Sequence, residues 1–215
     1  METTIQKTKQ QIALPSSSTL LRKRAFDVIC SVLGLLALSP VLLICAALVG
    51  LTSPGGVLFR QERIGKAGVP FTIYKFRSMR QDNRGLKITT SGDSRITPIG
   101  KVLRKTKLDE LPQLWNVLRG DMSFVGPRPE VREYTELYDE EQRQVLLVRP
   151  GITGLASVRF RNENELLDAS DDPNRTYIEE VMPQKLVLDL EYIPHASVIY
   201  DIRLILETLV AVVRA

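Results

Sequence analysis

Residues 28–59 carry no charged side chain, and within them residues 28–51 form an unbroken run of 24 uncharged, mostly apolar positions. That exceeds the roughly 18–20 residues that suggest a membrane-spanning helix. Ser39-Pro40 divides the run into halves of 12 and 11 residues. A proline inside a helix removes a hydrogen bond and kinks it. Each half, at about 1.5 Å per residue, reaches roughly 18 Å, which is one leaflet and not two. The flanks point the same way. Arg22, Lys23 and Arg24 precede the run, and Arg60, Arg63 and Lys66 follow it. Positive charge beside a membrane segment tends to stay cytoplasmic. A spanning helix would strand one cluster outside, whereas a helix-break-helix hairpin keeps both inside. The expectation is a re-entrant anchor over 22–55, with the Ser39 hydroxyl available to a carbonyl freed by the break. Length by itself favours the alternative, a single span or signal anchor. A cleaved signal peptide fits poorly, because the apolar stretch continues well past its small-residue triplet, Ala37-Leu38-Ser39. Cys30 and Cys45 both lie in this segment and read as apolar packing residues.

Against that run, the averages mislead. The chain has 215 residues, a net charge of +4 and a mean hydropathy of −0.03, the profile of an ordinary soluble protein. An apolar share of 44% excludes a disordered chain. Two cysteines exclude a disulfide scaffold, and a single histidine, His195, disfavours a zinc site. The charge is sorted along the chain: +3 over residues 1–27, +9 over 60–128 and −8 over 129–215. A strongly basic central segment implies an anionic partner.

Residues 1–21 read as a flexible polar tail and 56–215 as a cytoplasmic globular domain. The β-branched and aromatic stretches 57–64 and 71–79, separated by Gly65-Lys66-Ala67-Gly68, predict a β-hairpin. Residues 81–98 read as a loop and 99–105 as a short basic helix. Residues 108–118 predict a helix with Leu111, Leu114, Trp115 and Leu118 on one face, stopped by Gly120. Residues 125–129, with two prolines, must be extended. A charged amphipathic helix is expected over 130–147, a turn over 149–154 and partial helix over 163–180. Residues 199–213 are too short and too charged to span, and so belong to the core or to a membrane interface.

The most informative spot for chemistry is Asp109-Glu110. Thr106-x-x-Asp109 matches a capping box, and acidic residues suit a first helical turn, so a purely structural role is a serious alternative. The functional reading rests on the surrounding cations: Arg104, Lys105 and Lys107 before the pair, Arg119 and Arg128 after it. Carboxylates kept ionised there could serve as a nucleophile or as a ligand for Mg²⁺, an ion that bridges carboxylates to substrate phosphates. Arginines suit phosphate oxygens because the guanidinium fork matches them two bonds at a time. Arg128, between Pro127 and Pro129, is better fixed than a surface arginine. Lys75 and Arg77 offer further charge or simply face solvent. Pro150-Gly151 and His195 carry no role by composition.

The chain resembles the small monotopic phosphoglycosyl transferases, a family of bacterial sugar transferases. The resemblance is carried by KRAFDV leading into the apolar segment with its Ser39-Pro40 break, then by IYKFRSM, by KLDELPQLWNVLRGDMSFVGPRPE and by VRPGITG. It covers about residues 22–213. It implies an α+β, mainly α protein, monotopic, with a re-entrant helix broken at Ser39-Pro40 and a cytoplasmic domain containing a small β-hairpin. It implies transfer of a sugar 1-phosphate from a nucleotide sugar, usually a UDP-sugar, to undecaprenyl phosphate, with release of UMP. By resemblance, Asp109 is the nucleophile that forms a phosphosugar-aspartyl intermediate, and Glu110 helps to hold Mg²⁺. Lys75 and Arg104 match positions linked to phosphate binding or support of the site. Arg128 matches a position associated with the nucleotide part of the donor. The implied location is the bacterial inner membrane, among its lipids, with the catalytic domain facing the cytoplasm and no nucleic-acid partner; a homodimer is left open.

Where many relatives continue after VRPGITG with Trp-Ala-Gln-Val-Asn-Gly-Arg, this chain reads Leu155-Ala-Ser-Val-Arg159-Phe-Arg161. That difference bears on the identity of the sugar. The chain is expected to be the catalytic unit alone. The rival readings are an inactive membrane-tethered scaffold, which the intact Asp109-Glu110 and Arg128 oppose, and a tethered nucleic-acid-binding protein, for which no motif is present.

Overall fold

The computed structural model describes residues 11–53, 55–80 and 93–213. Helix α1 (Ser17–Ala37) opens on Ser16, whose side chain accepts the Thr19 backbone N–H. It therefore begins inside the segment expected to be a tail, because a serine cap needs no tertiary partner to start a helix. Ile12, just before it, is also held: its N–H donates to Gln144 Oε1 at 2.6 Å. The first ten residues, and most of the loop expected over 81–98, lie outside the described residues.

At Leu38, α1 gives way to α2 (Ser39–Thr52), and the two are bent by 63°. Pro40 falls in the first turn of α2, where its missing N–H leaves no bond unmade. The Ser39 hydroxyl donates to Leu36 O at 2.8 Å, as expected at the break. Among the described residues no single helix is long and apolar enough to cross a membrane; the bent pair meets that length and composition only together. Leu33, Leu36, Leu43, Ile44 and Leu51 face outward. Cys45 and Val49 face inward and pack with Phe76 and Leu103, while Cys30 is half-buried.

Strands β1 (Leu58–Ile64) and β2 (Pro70–Phe76) form the expected antiparallel hairpin, in register from Leu58↔Phe76 to Ile64↔Pro70. Arg77 closes its open end, donating from Nε to Gly56 O at 2.8 Å and from Nη2 to Leu58 O at 3.2 Å. Helix α3 (Pro98–Lys105), capped by Thr97, is the short basic helix expected.

The helix expected over 108–118 divides. Leu108–Glu110 is a 3-10 turn, and α4 (Gln113–Arg119) follows. The buried face of α4 is Gln113, Leu114, Asn116 and Val117, which leaves Trp115 50% exposed. Asn116 decides this. Its side chain replaces a missing strand at the free edge of β2, donating to Thr72 O at 2.7 Å and accepting the Tyr74 N–H at 3.1 Å. Gly120, at φ 91°, ends the helix.

The segment expected to be a turn at 149–154 contains strand β4 (Gly151–Thr153), parallel to β3 (Ser123–Val125). Backbones approach so closely there that a Cβ on Gly126 or Gly151 would collide with the facing chain. The long helix expected over 130–147 is absent. It is replaced by one turn, α5 (Arg132–Thr135), and a 3-10 turn, Gln142–Leu147. Asp139 and Gln142 accept each other's backbone N–H at 2.8 and 3.0 Å, a local cap that starts a new turn in mid-segment.

Helices α6 (Leu155–Arg159), α7 (Glu163–Asp168), α8 (Pro173–Thr176) and α9 (Met182–His195), with a π turn (Tyr177–Val181) leading into α9, complete this half. Helix α9, which the sequence reading does not anticipate, buries Leu186 and Met182 against Tyr134, Tyr138 and Tyr177. Exposed His195 ends it. Helix α10 (Val198–Val213) joins the core along one side, where Asp201 and Leu204 are buried, and exposes Ile199, Leu206 and Leu209 on the other. The fold is mainly helical with small two-stranded sheets.

Candidate active site

The backbone reverses at Lys107, whose φ of 57° lies in the left-handed region. For a residue with a side chain this costs about 1–2 kcal/mol. The reversal ends α3 and begins the 3-10 turn that carries the carboxylate pair. Thr106 does not form the capping box that its spacing suggests; its hydroxyl donates backwards, to Val102 O at 2.8 Å. Asp109 points inward, 6% exposed, and among the described residues its buried Oδ1 has no hydrogen-bond partner.

Glu110 faces the cations. Its Oε1 lies 2.7 Å from Lys75 Nζ and 3.4 Å from Arg128 Nη2. Strand β2, the 3-10 turn and the 127–129 loop thus meet at one oxygen. Arg104, in the last turn of α3, places its charge on Asp109, and its Nη1 lies 3.5 Å from Met79 Sδ. The tertiary structure therefore gathers Lys75, Arg104, Asp109, Glu110 and Arg128, but not Arg77, which is spent on the hairpin.

The two carboxyl groups diverge electrostatically. Burial works to raise Glu110, but Lys75, Arg128 and Lys107 outweigh it and hold the group far below the usual carboxylate range. Asp109 moves upward, through burial first and the neighbouring Glu110 charge second, against Lys75, Arg104 and Lys107. Cationic surroundings thus set the charge of Glu110 as expected, whereas burial wins at Asp109. Adjacent carboxyls with pKa values pushed apart can divide roles between them. Glu110 in turn strengthens the proton affinity of Arg128.

No cluster of three or more His, Cys, Asp or Glu able to hold a metal occurs among the described residues. The local donor set is ionised Glu110 and the unpartnered Asp109 oxygen. Mg²⁺ is commonly held by one or two carboxylates together with substrate phosphates. These residues fit such an ion once a phosphorylated ligand completes its shell.

Three supporting residues escape a reading by charge and spacing. Asn116 pins α4 to β2. Glu130 braces the Arg128 loop, with Oε2 3.4 Å from Arg63 Nη1 and Oε1 accepting the Tyr177 hydroxyl at 2.5 Å. Arg63, counted above among the membrane flank charges, turns inward for this contact and donates to Pro129 O at 3.1 Å. An asparagine inside a helix, where it is a poor helix former, is the signal that could have marked Asn116. For Glu130 and Arg63 there is no local signal.

The family model described as bacterial sugar transferase matches residues 18–215. The chain belongs to that family. It is 40% identical over 201 residues to the UDP-N-acetylgalactosamine-undecaprenyl-phosphate N-acetylgalactosaminephosphotransferase of Aeromonas hydrophila, covering 91% of this chain and 44% of that one. It is equally similar, at 40% over 201 residues, to a UDP-glucose:undecaprenyl-phosphate glucose-1-phosphate transferase of Caulobacter vibrioides, covering 91% of this chain and 71% of the relative. It is 43% identical to the exopolysaccharide production protein PSS of Rhizobium leguminosarum, covering 89% of this chain and 95% of that protein. The chain thus spans less than half of the Aeromonas relative and nearly all of the Rhizobium one.

Proposed function

We propose that this protein transfers a sugar 1-phosphate from a UDP-sugar to undecaprenyl phosphate and so makes the first lipid-linked intermediate of a polysaccharide or glycoconjugate. The observation that carries this reading is the buried, unpartnered Asp109 oxygen beside a Glu110 that fixed cations keep ionised. The names of the relatives support the donor and acceptor classes.

In the first step an Asp109 oxygen attacks the phosphorus that bears the sugar. An aspartyl–phosphorus bond forms, the bond to the bridging oxygen breaks, and UMP leaves with that oxygen and its electron pair. In the second step a phosphate oxygen of the lipid attacks the same phosphorus, giving the sugar diphospholipid and returning the Asp109 carboxylate. One carboxylate serves donor and acceptor in turn. Burial of Asp109 keeps water from competing for the intermediate. Arg128 and Lys75 bind the donor's phosphate oxygens, and Arg104 favours the anionic form of Asp109 that attacks. Glu110 would hold Mg²⁺, which when bound supplies charge neutralisation on the phosphates.

The protein sits on the cytoplasmic face of the bacterial inner membrane, with α1 and α2 as a re-entrant anchor. The 63° bend and the outward leucines support this. So does the exposed stripe of α10 (Ile199, Ile202, Leu206, Leu209, Val210) beside Arg159 and Arg161, which suits an anionic bilayer surface, while Arg203 there is paired with Glu207 at 2.9 Å. The deciding experiment is UMP release by the purified protein with undecaprenyl phosphate and a panel of UDP-sugars. No release with any donor would overturn the reading.

A further inference from the structure

The turn that carries Asp109 and Glu110 joins two helices, α3 and α4, and both rest on the apolar run. Leu103 of α3 packs with Cys45 and Val49 of α2. Leu114 of α4 lies against α1, with its Cδ1 3.4 Å from where a Cβ on Gly34 would stand. Gly34 and Cys45 each lie six residues inside an end of the 28–51 run, about 9 Å along a helix. With α1 and α2 as the anchor, the turn is thus held at headgroup level. The outward side of the same two helices is basic and apolar. Lys101, Val102 and Lys105 of α3 are exposed, and so is Trp115 of α4. Lys101 and Lys105 stand one helical turn apart, where like charges disfavour the helix unless an anion lies between them. Helix α3 holds no acidic residue, and neither lysine is in an ion pair among the described residues.

We propose that this face seats the lipid acceptor: Lys101 and Lys105 receive its phosphate beside the 107–110 turn, and Val102 and Trp115 take the first units of its polyprenyl chain. The seat rests on the reading above, in which undecaprenyl phosphate is the acceptor. A phosphate with an apolar tail at the membrane surface calls for cations next to apolar side chains. Tryptophan suits that boundary, because its ring is apolar and its N–H polar. In the same reading the donor is held by other elements, Lys75 of β2 and Arg128 of the 127–129 loop, whose side chains meet at Glu110. Each substrate then approaches Asp109 along its own set of side chains.

The test compares Lys101→Gln combined with Lys105→Gln, and separately Trp115→Gln, with wild-type protein in neutral detergent micelles. UMP release is measured against undecaprenyl phosphate and against UDP-sugar, with melting temperature as the measure of folding; all three side chains are exposed, so the fold should hold. The acceptor KM is expected to rise about tenfold in the lysine pair, which loses two charged contacts to one phosphate. In Trp115→Gln it should rise about threefold, through loss of an aromatic surface for the chain. Donor KM should stay at the wild-type value in both, and Lys101→Arg with Lys105→Arg should recover the acceptor KM. Phosphatidylglycerol, added in equal amount to the acceptor, should leave the wild-type acceptor KM unchanged. Unchanged acceptor KM in either variant, equal rises in donor and acceptor KM, or competition by phosphatidylglycerol overturns the seat. Wild-type protein that releases no UMP with undecaprenyl phosphate would instead overturn the acceptor reading on which the seat rests.

Discussion

Lys23 of α1 and Asp201 of α10 form an ion pair inside the protein, with the Tyr192 hydroxyl joining both. The first and last helices are thereby locked at the point where α1 leaves the globular part. The next residues along α1 extend the lock. Arg24 donates to Val117 O at 2.6 Å and Leu118 O at 2.8 Å, and Asp27 Oδ1 accepts the Phe124 N–H at 3.1 Å. Lys23, Arg24 and Asp27, just before the apolar run, are therefore structural bolts that set the helix pair against the elements carrying the site.

Removing one partner of a buried pair strands the other charge. Lys23→Met or Asp201→Leu alone should destabilise by about 3–5 kcal/mol, and the double substitution by clearly less than the sum. Denaturant unfolding in detergent would read this. A double variant as unstable as the two singles added together would mean that the residues do not act as a pair.

Asp109→Asn should abolish UMP release, and Glu110→Gln should lower it by about 10²–10³. Wild-type protein given UDP-sugar without lipid acceptor should gain the mass of a sugar phosphate, located on Asp109 by peptide mass spectrometry. Full turnover in Asp109→Asn would end the nucleophile assignment.

Chelation by EDTA should stop UMP release, and added Mg²⁺ should restore it. Turnover that persists after thorough chelation would remove the metal from Glu110.

Burial pushes the Asp189 carboxyl of α9 up to about 8, against the nearby Lys185 charge; Glu130 adds to the rise, and Tyr138 and Tyr192 sense the Asp189 charge. The folded chain then keeps a proton that the unfolded chain loses near the ordinary Asp value. This contribution to stability is full at low pH and falls as pH rises towards 8. Asp189→Asn, which has no proton to lose, should gain stability relative to wild type between pH 5 and 8, roughly. Parallel melting curves across that range would show that Asp189 is already ionised in the fold.

Single cysteines at Lys9 and Lys66 should both be shielded from an impermeant thiol reagent in intact cells, and both should react after lysis. Labelling of only one in intact cells would mean a true span. Replacing Leu206 and Leu209 by aspartate should weaken binding to anionic vesicles without changing the melting temperature, since both side chains are exposed.

What the residue order alone makes legible is local. The break at Ser39-Pro40 follows from a missing N–H, the hairpin from two β-rich stretches around a glycine turn, and α3 from its own pattern. The pairing of Asp109-Glu110 with nearby cations was visible as charge density. The elements that differ from the local pattern are those where a side chain is claimed from afar. Asn116 went to the edge of β2 and turned Trp115 outward, and Gly151–Thr153, within the expected turn, became a strand because β3 lay beside them. The helix over 130–147 failed for a local reason, the Asp139–Gln142 cap, which helical periodicity masked.

The sequence by itself determined the apolar run, its break, the segregated charge and the family, because these depend on residue type and order alone. Only the tertiary structure decided which carboxyl is which. Glu110 meets Lys75 from β2 and Arg128 from the far loop, while Asp109, its neighbour, is buried with an oxygen unpartnered. Adjacent residues in a chain share their composition but not their surroundings, and a carboxyl's charge is set by burial and by charges that folding brings near.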